Sequence, residues 1–250
     1  MASELKIEDV DVDGAVRESA ERASFELNRD GDTRADFLKK AGLAGGAVIG
    51  GGALLGGLVP GTALAADAPP RSFGRGDVGI LNYALTLEYL ESAFYNEAQR
   101  NQRDGASPIP GGPNSFITDE STLNFLTAVV RDEKAHVRFL KKALGNKAAK
   151  KPRFDFRDTT SDQERFQRTS FQLENTGVSA YLGQAYNIKS KSVGKAALSI
   201  ATIEARHSGL IGEILRGTPK GIAPDGPFDK AVGAKKTLQA VKRTRFIKNG

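Results

Sequence analysis

The chain has no cysteine and no tryptophan, and only one methionine and two histidines among its 250 residues. Without cysteine there can be no disulfide, no thiolate-bound zinc, no iron–sulfur cluster and no thiol nucleophile. A serine–histidine triad or a multi-histidine zinc site would have to draw on His136 or His207. Hydrophobic residues make up 39% of the chain, enough for a core, while a mean hydropathy of −0.36 argues against a polytopic membrane protein. The length suits one sizeable domain plus an appendage. Net charge is +6 but unevenly spread: residues 1–40 hold 7 basic and 11 acidic side chains, or −4, which leaves +10 for the rest.

Residues 41–66 form an uncharged run with nine glycines. It is long enough to cross a bilayer, but its glycine content makes it weakly apolar and poorly helical. Lys39 and Lys40 precede it, and Ala63-Leu64-Ala65 gives a small-x-small pattern that suits cleavage before Ala66. Just upstream, Thr33-Arg34-Ala35-Asp36-Phe37-Leu38-Lys39 resembles a twin-arginine export signal, with Ala35 in the place of the second arginine. Residues 1–65 are therefore expected to be an acidic pre-sequence and twin-arginine-like signal. The expected location is exported, periplasmic or extracytoplasmic. The alternatives are a membrane anchor formed by residues 41–66, with membrane contact only if the leader stays uncleaved, and a disordered cytosolic extension.

Beyond Pro70 the hydrophobic pattern is helical. Asp77 is placed to cap a helix over about 78–101, with Leu81, Leu85, Glu88, Ser92 and Tyr95 on one stripe. After a Pro/Gly-rich loop at 105–114, a second helix is predicted over 118–144, ended by Gly145. Its stripe holds Leu126, Val129, Glu133, His136, Val137, Leu140 and Leu144. Ser161 and Glu164 read as a capping box for a third helix reaching Lys189, with Phe171, Glu174, Val178, Tyr181, Ala185 and Ile188 aligned. A turn at 190–192 starts the fourth, which ends at Gly217 and aligns Ala197, Ile200, Glu204, His207, Ile211 and Ile214. A short basic helix is expected near 229–241. The 16-residue connection at 145–160 can span roughly 50 Å, more than the roughly 40 Å of a 27-residue helix. The second and third helices can therefore run parallel. The expected fold is all-α: an antiparallel four-helix bundle, ferritin-like, with one long crossover and a short C-terminal helix. The bundle occupies 76–217 and a basic extension 218–250.

Each of the four apolar stripes carries a glutamate, and two carry a histidine three residues later. Glu133-Lys134-Ala135-His136 and Glu204-Ala205-Arg206-His207 are both Glu-x-x-His, which puts Glu and His on one helix face. With 14 glutamates in the chain, both histidines would acquire such a partner by chance roughly once in 300. The other two stripes share Leu-Glu followed by tyrosine seven residues after the glutamate, at Glu88/Tyr95 and Glu174/Tyr181. The chain thus reads as a duplicated helix pair, and helix rise puts the four carboxylates within about 3–5 Å of one layer. The stripes hold no Lys or Arg. Four ionised carboxylates in an apolar bundle would repel one another and lose hydration, so some would protonate unless cations arrive. Two divalent ions cancel the four charges, and oxygen-rich ligation with two imidazoles favours iron or manganese.

Four glutamates and two Glu-x-x-His in this order resemble the ferritin-like di-iron carboxylate superfamily. More narrowly, 81–91 (Leu81-Asn82-Tyr83-Ala84-Leu85-Thr86-Leu87-Glu88-Tyr89-Leu90-Glu91), Asp132-Glu133-x-x-His136 and Glu204-Ala205-Arg206-His207 resemble an exported bacterial ferritin-like family related to desiccation-associated proteins. The resemblance implies metal ligands Glu88, Glu133, His136, Glu174, Glu204 and His207, with Glu133 and Glu204 as bridges and no catalytic residues besides these ligands. It implies two iron ions, or two manganese ions, reacting with O2 or H2O2 or oxidising ferrous iron, which would make the chain a di-metal oxidoreductase. Without cysteine there is no built-in rubredoxin-like donor, so electrons would come from iron, peroxide or a separate protein electron donor.

Around these residues several readings stay open. Glu91 reads as a neighbour of the ligands or a rim residue, and as a rival to Glu88. Asp132 either bonds a ligand histidine across the bundle or is solvated. Tyr95 and Tyr181 either bond ligand carboxylates or pack in the core. Arg206 either pairs with Asp132 or faces solvent. The basic tail at Lys242, Arg243, Arg245 and Lys248 reads as a soluble rim, and no nucleic-acid partner is expected. The alternative function is a non-enzymatic stress- or desiccation-protective envelope protein whose metal is a structural clamp. The oligomeric state is left open.

Overall fold

The computed structural model describes residues 67–104, 115–218 and 220–248. The expected export signal, its expected cleavage site and the alternative anchor at 41–66 all lie outside the described residues. Among the described residues no helix is long and apolar enough to cross a membrane.

Four long helices carry the fold: α1 (Gly76–Asp104), α2 (Glu120–Leu144), α3 (Gln163–Gln184) and α4 (Lys191–Arg216). A fifth, α5 (Ala234–Thr244), follows, and a two-residue strand in the crossover, β1 (Arg153–Phe154), pairs antiparallel with a C-terminal one, β2 (Ile247–Lys248). Contacts between named side chains give the directions. Glu88 meets His136 and the Tyr95 ring meets Phe125, so α1 and α2 are antiparallel. Tyr95 bonds Glu174 while Tyr181 bonds Glu88, so α1 and α3 are antiparallel as well. It follows that α2 and α3 run parallel, joined by the long crossover. This is the ferritin-like arrangement that the length of the connection allowed.

The crossover is fastened at both ends of α1. Near its start the Asn82 amide donates to Lys147 O (3.0 Å) and accepts from Ala149 N (2.8 Å). About 28 Å further along α1, Asn101 Nδ2 donates to Thr160 O (3.0 Å). A polar side chain on a buried helix is here satisfied by the backbone of a segment that has no ladder of its own. Below the bundle midpoint, Phe94 stacks on Phe166, with centroids 5.6 Å apart, and Tyr95, Phe125, Phe116 and Phe156 pack edge-on around the pair. Phe94 and Phe166 are fully buried, each contributing roughly 1.5–3 kcal/mol of apolar burial.

Several helix ends depart from the sequence-based expectation. Asp77 does not cap its own helix. It accepts from Lys189 N and Ser190 N (2.9 and 2.8 Å), clamping the turn into α4 and ending α3 at Gln184 rather than Lys189. Ala185 and Ile188 therefore lie beyond α3. The cap of α3 is Asp162, which accepts from Arg165 N, while Glu164 bonds Arg168 instead of completing a box with Ser161. Asp119 caps α2 and Ser190 caps α4. At α3 the Asp162 carboxylate takes the exposed helix N–H group in place of the Ser161 hydroxyl, which bonds Asp158 O instead. The fifth helix begins five residues later than expected because its first N–H groups are satisfied from afar: Asp67 accepts from Lys235 N, and its carbonyl accepts from Ala234 N. The chain before α5 lies so close to α3 that a Cβ at Gly183 would collide with the Val232 carbonyl.

Candidate metal centre

The six expected ligand residues meet in one buried layer. Glu88 comes from α1, Glu133 and His136 from α2, Glu174 from α3, and Glu204 and His207 from α4. All four glutamates are fully buried and both histidines nearly so. Two ligand groups form, each holding one potential ligand atom per residue within 4.8 Å of the others. One is Glu88, Glu133, His136 and Glu204; the other is Glu133, Glu174, Glu204 and His207. Glu133 and Glu204 belong to both, the position a bridging carboxylate occupies.

The fit to metal ions rests on the partners these atoms lack. Glu88 Oε2, both oxygens of Glu133 and of Glu204, Glu174 Oε2, and Nδ1 of both histidines are buried without a hydrogen bond. Orphaned buried polar atoms are costly, and eight converging on one spot are the arrangement a metal site requires. His136 Nδ1 lies 3.1 Å from Glu204 Oε1 and 3.2 Å from Glu88 Oε2, and His207 Nδ1 lies 3.3 Å from Glu133 Oε1 and Glu174 Oε2. Two ligands bound to one ion at about 2.1 Å and at right angles stand about 3 Å apart. The ring centroids of the two histidines are 6.4 Å apart, one on each side of the shared glutamates. Among the described residues, the groups that ion-pair with the four glutamates are these two histidines; no Lys or Arg intrudes.

The electrostatics say the same. Burial and then the neighbouring Glu88 charge push Glu133 up to about 7, and burial with the same neighbours raises Glu204 well above the carboxylate range. Burial opposes charge on His207, but the Glu133 and Glu174 carboxylates beside it win and push it up to about 11. His136 is raised likewise by Glu133, Glu204 and Glu88 against its own burial. Burial would also raise Glu88, yet contact with His136 outweighs it and leaves Glu88 below its ordinary value. Metal-free, the layer must hold protons to offset its charge; divalent ions would take their place.

The surroundings resolve the readings left open by the sequence. Tyr181 Oη donates to Glu88 Oε1 (2.6 Å), and Tyr95 Oη donates to Glu174 Oε1. Each tyrosine thus serves the glutamate of the opposite helix, leaving Oε2 of that glutamate facing the layer. Burial first, and then the carboxylate next to each, push both phenols up, so they remain donors. Asp132 Oδ2 lies 3.3 Å from His207 Nε2, across the bundle, a partner that would hold a proton on Nε2 and leave Nδ1, which faces the glutamates, to a metal ion. The guanidinium on Asp132 belongs to Arg131 (2.7 Å), not to Arg206, which is exposed.

Glu91 is buried beside the layer and outside both ligand groups. Burial and then the charges of Glu204, Glu133, Glu174 and Glu88 push its carboxyl well above the usual range. It occupies space vacated by Gly177: a Cβ there would lie 3.1 Å from Glu204 Oε2 and 3.2 Å from Glu91 Oε1. Gly177 is the residue that sequence reasoning missed. Its signal was legible, since it stands three after Glu174 as Glu91 stands three after Glu88, and a mid-helix glycine costs about 1 kcal/mol relative to alanine.

No curated protein and no solved structure matches the chain. The ferritin-like domain family does match, over residues 76–217, the span that holds all four helices and all six residues of the layer. With more than half of the chain covered, and with this bundle around these carboxylates, the protein belongs to the ferritin-like domain family.

Proposed function

We propose that this protein binds a dinuclear iron or manganese centre and uses it for redox chemistry with O2 or H2O2, or for the oxidation of ferrous iron. The observation that carries the reading is the set of eight buried, unpartnered oxygen and nitrogen atoms in two overlapping groups. Glu88 and His136 would hold one ion, Glu174 and His207 the other, and Glu133 and Glu204 both. A redox-active pair bound there supplies one-electron steps at two adjacent centres. The chain contributes position and charge. Tyr95 and Tyr181 each tie up one oxygen of a terminal glutamate, and Asp132 holds the His207 tautomer. The Phe125 ring, edge-on to His207 at 6.5 Å, helps to keep water from that side. A dry site strengthens each of these electrostatic contacts.

Anaerobic titration with Fe(II) followed by air should reach about two metals per chain and develop a near-ultraviolet ligand-to-metal charge-transfer band. Unchanged uptake in Glu133→Ala/Glu204→Ala would falsify the assignment. Turnover of peroxide or ferrous iron that survives in that variant would refute the redox role separately. Export through the envelope is part of the same proposal and is supported by the twin-arginine-like leader and the Ala63-Leu64-Ala65 pattern.

A further inference from the structure

We propose that a cavity of about 760 Å³ between α1, α3 and α5 is a binding site for a small organic anion, a carboxylate or phosphate ester on an apolar body, held by Arg216 and Arg243. The cavity lies outside the metal layer, and Glu91 is part of its wall. Its size falls within the roughly 300–1,000 Å³ typical of small-molecule pockets, far more than an inorganic ion fills.

Two features select the ligand. The first is charge. Arg157, Arg216 and Arg243 all line the cavity. Of its two acidic residues, Asp225 is paired with Lys230 (2.8 Å) and Glu91 is buried at the inner wall. The lining therefore carries more positive than free negative charge, with Arg216 and Arg243 unpaired to any acid among the described residues. The second is the way the guanidinium groups are held. Arg216, exposed at its outer end, places Cζ over the Phe171 ring, 4.2 Å from the centroid. This cation–π contact holds the guanidinium against the cavity wall, where its N–H groups can donate to an oxyanion. Arg157 is anchored by a bond to Thr244 O (2.6 Å), and its backbone sits at φ 55°, a left-handed conformation uncommon for a non-glycine residue. Arg243 is exposed at the rim. The rest of the lining mixes apolar Leu87, Leu90 and Phe171 with polar Thr169, Gln172 and Asn175. An oxyanion on the arginines with its apolar body against the leucines is the arrangement this lining accepts.

Calorimetric titration of the full-length protein with phenyl phosphate, benzoate and benzyl alcohol tests the site. Saturable binding of one or both anions, and none of the neutral alcohol, is the expected result, with the tighter anion telling phosphate ester from carboxylate. Arg216→Gln/Arg243→Gln should weaken binding by about tenfold or more, because each lost charge-assisted hydrogen bond carries that weight. Ala240→Trp, which places a bulky ring in the cavity from α5, should block it in a variant whose arginines are intact. Absence of saturable anion binding, equal binding of benzyl alcohol, or affinity indifferent to both sets of substitutions would overturn the proposal. Metal content measured on the same samples reports on the dinuclear centre alone, so the two readings fail separately.

Discussion

The α1–α2 pair and the α3–α4 pair each bring one Glu, one Glu-x-x-His and one Tyr to the buried layer, but their neighbouring positions differ. Where the first pair has Glu91 and Asp132, the corresponding positions of the second hold Gly177 and Ile203. The shared residues set the charge of the site and its capacity for two cations. The unshared ones make its two halves unequal. Asp132 gives His207 a carboxylate partner, and the missing side chain at Gly177 admits a fifth buried carboxyl from α1. The shared residues thus form the two ligand groups, and the unshared ones decide what surrounds each group.

The largest effect should come from breaking the shared part. Glu204→Ala removes a residue common to both ligand groups and should abolish stoichiometric loading, whereas Glu88→Ala should spare the ion held by Glu174 and His207. Metal analysis after Fe(II) or Mn(II) loading would show about zero against about one ion per chain. Equal losses in the two variants would mean that the groups do not overlap as described.

Breaking the unshared part should have a smaller, one-sided effect. Asp132→Ala removes the acceptor from His207 Nε2 and should weaken metal binding by about 10–100-fold, while Ile203→Ala at the corresponding position should leave affinity nearly unchanged. Competition with a calibrated chelator measures both.

The smallest effect is on stability. In the metal-free protein, burial and Glu88 raise Glu133 to about 7 from 4.5, and the carboxylates around His207, overcoming its burial, raise it to about 11 from 6.5. The folded state therefore binds more protons than the unfolded chain. Stabilisation from these groups is complete below the ordinary values and is lost as pH rises through the shifted ones. Metal-stripped protein should melt several degrees lower at about pH 9 than at about pH 6, and metal-loaded protein should show a flatter profile. A rising profile for the stripped protein would contradict the charge arrangement of the layer.

Most of the ligand layer is legible in the sequence alone, because a helix places residues three apart on one face whatever surrounds it. Glu-x-x-His and the apolar stripes are such local facts, and so is the tyrosine seven residues after each helix-pair glutamate. What the tyrosines do is not legible there: each bonds the glutamate of the other helix, which depends on the antiparallel approach of α1 and α3. Helix ends are harder to read. Ser161 and Glu164 look like a capping box in isolation, but Asp162 and Arg168 are nearer and more strongly charged partners. Asp77 looks like a cap for its own helix, yet a turn more than 100 residues away supplies its two N–H donors.

By itself the sequence determined the all-α class, a connection long enough for α2 and α3 to run parallel, and an excess of buried acid that calls for cations. These follow from backbone period, chain length and charge, all properties of a single strand of residues. Tertiary structure alone decided that Arg131 rather than Arg206 sits on Asp132, that Glu91 fills the space beside Gly177, and that three arginines from distant segments line one cavity. Each of those depends on which faces meet and how closely. That is set by the packing of side chains far apart in the chain, where an ångström separates a bond from a gap.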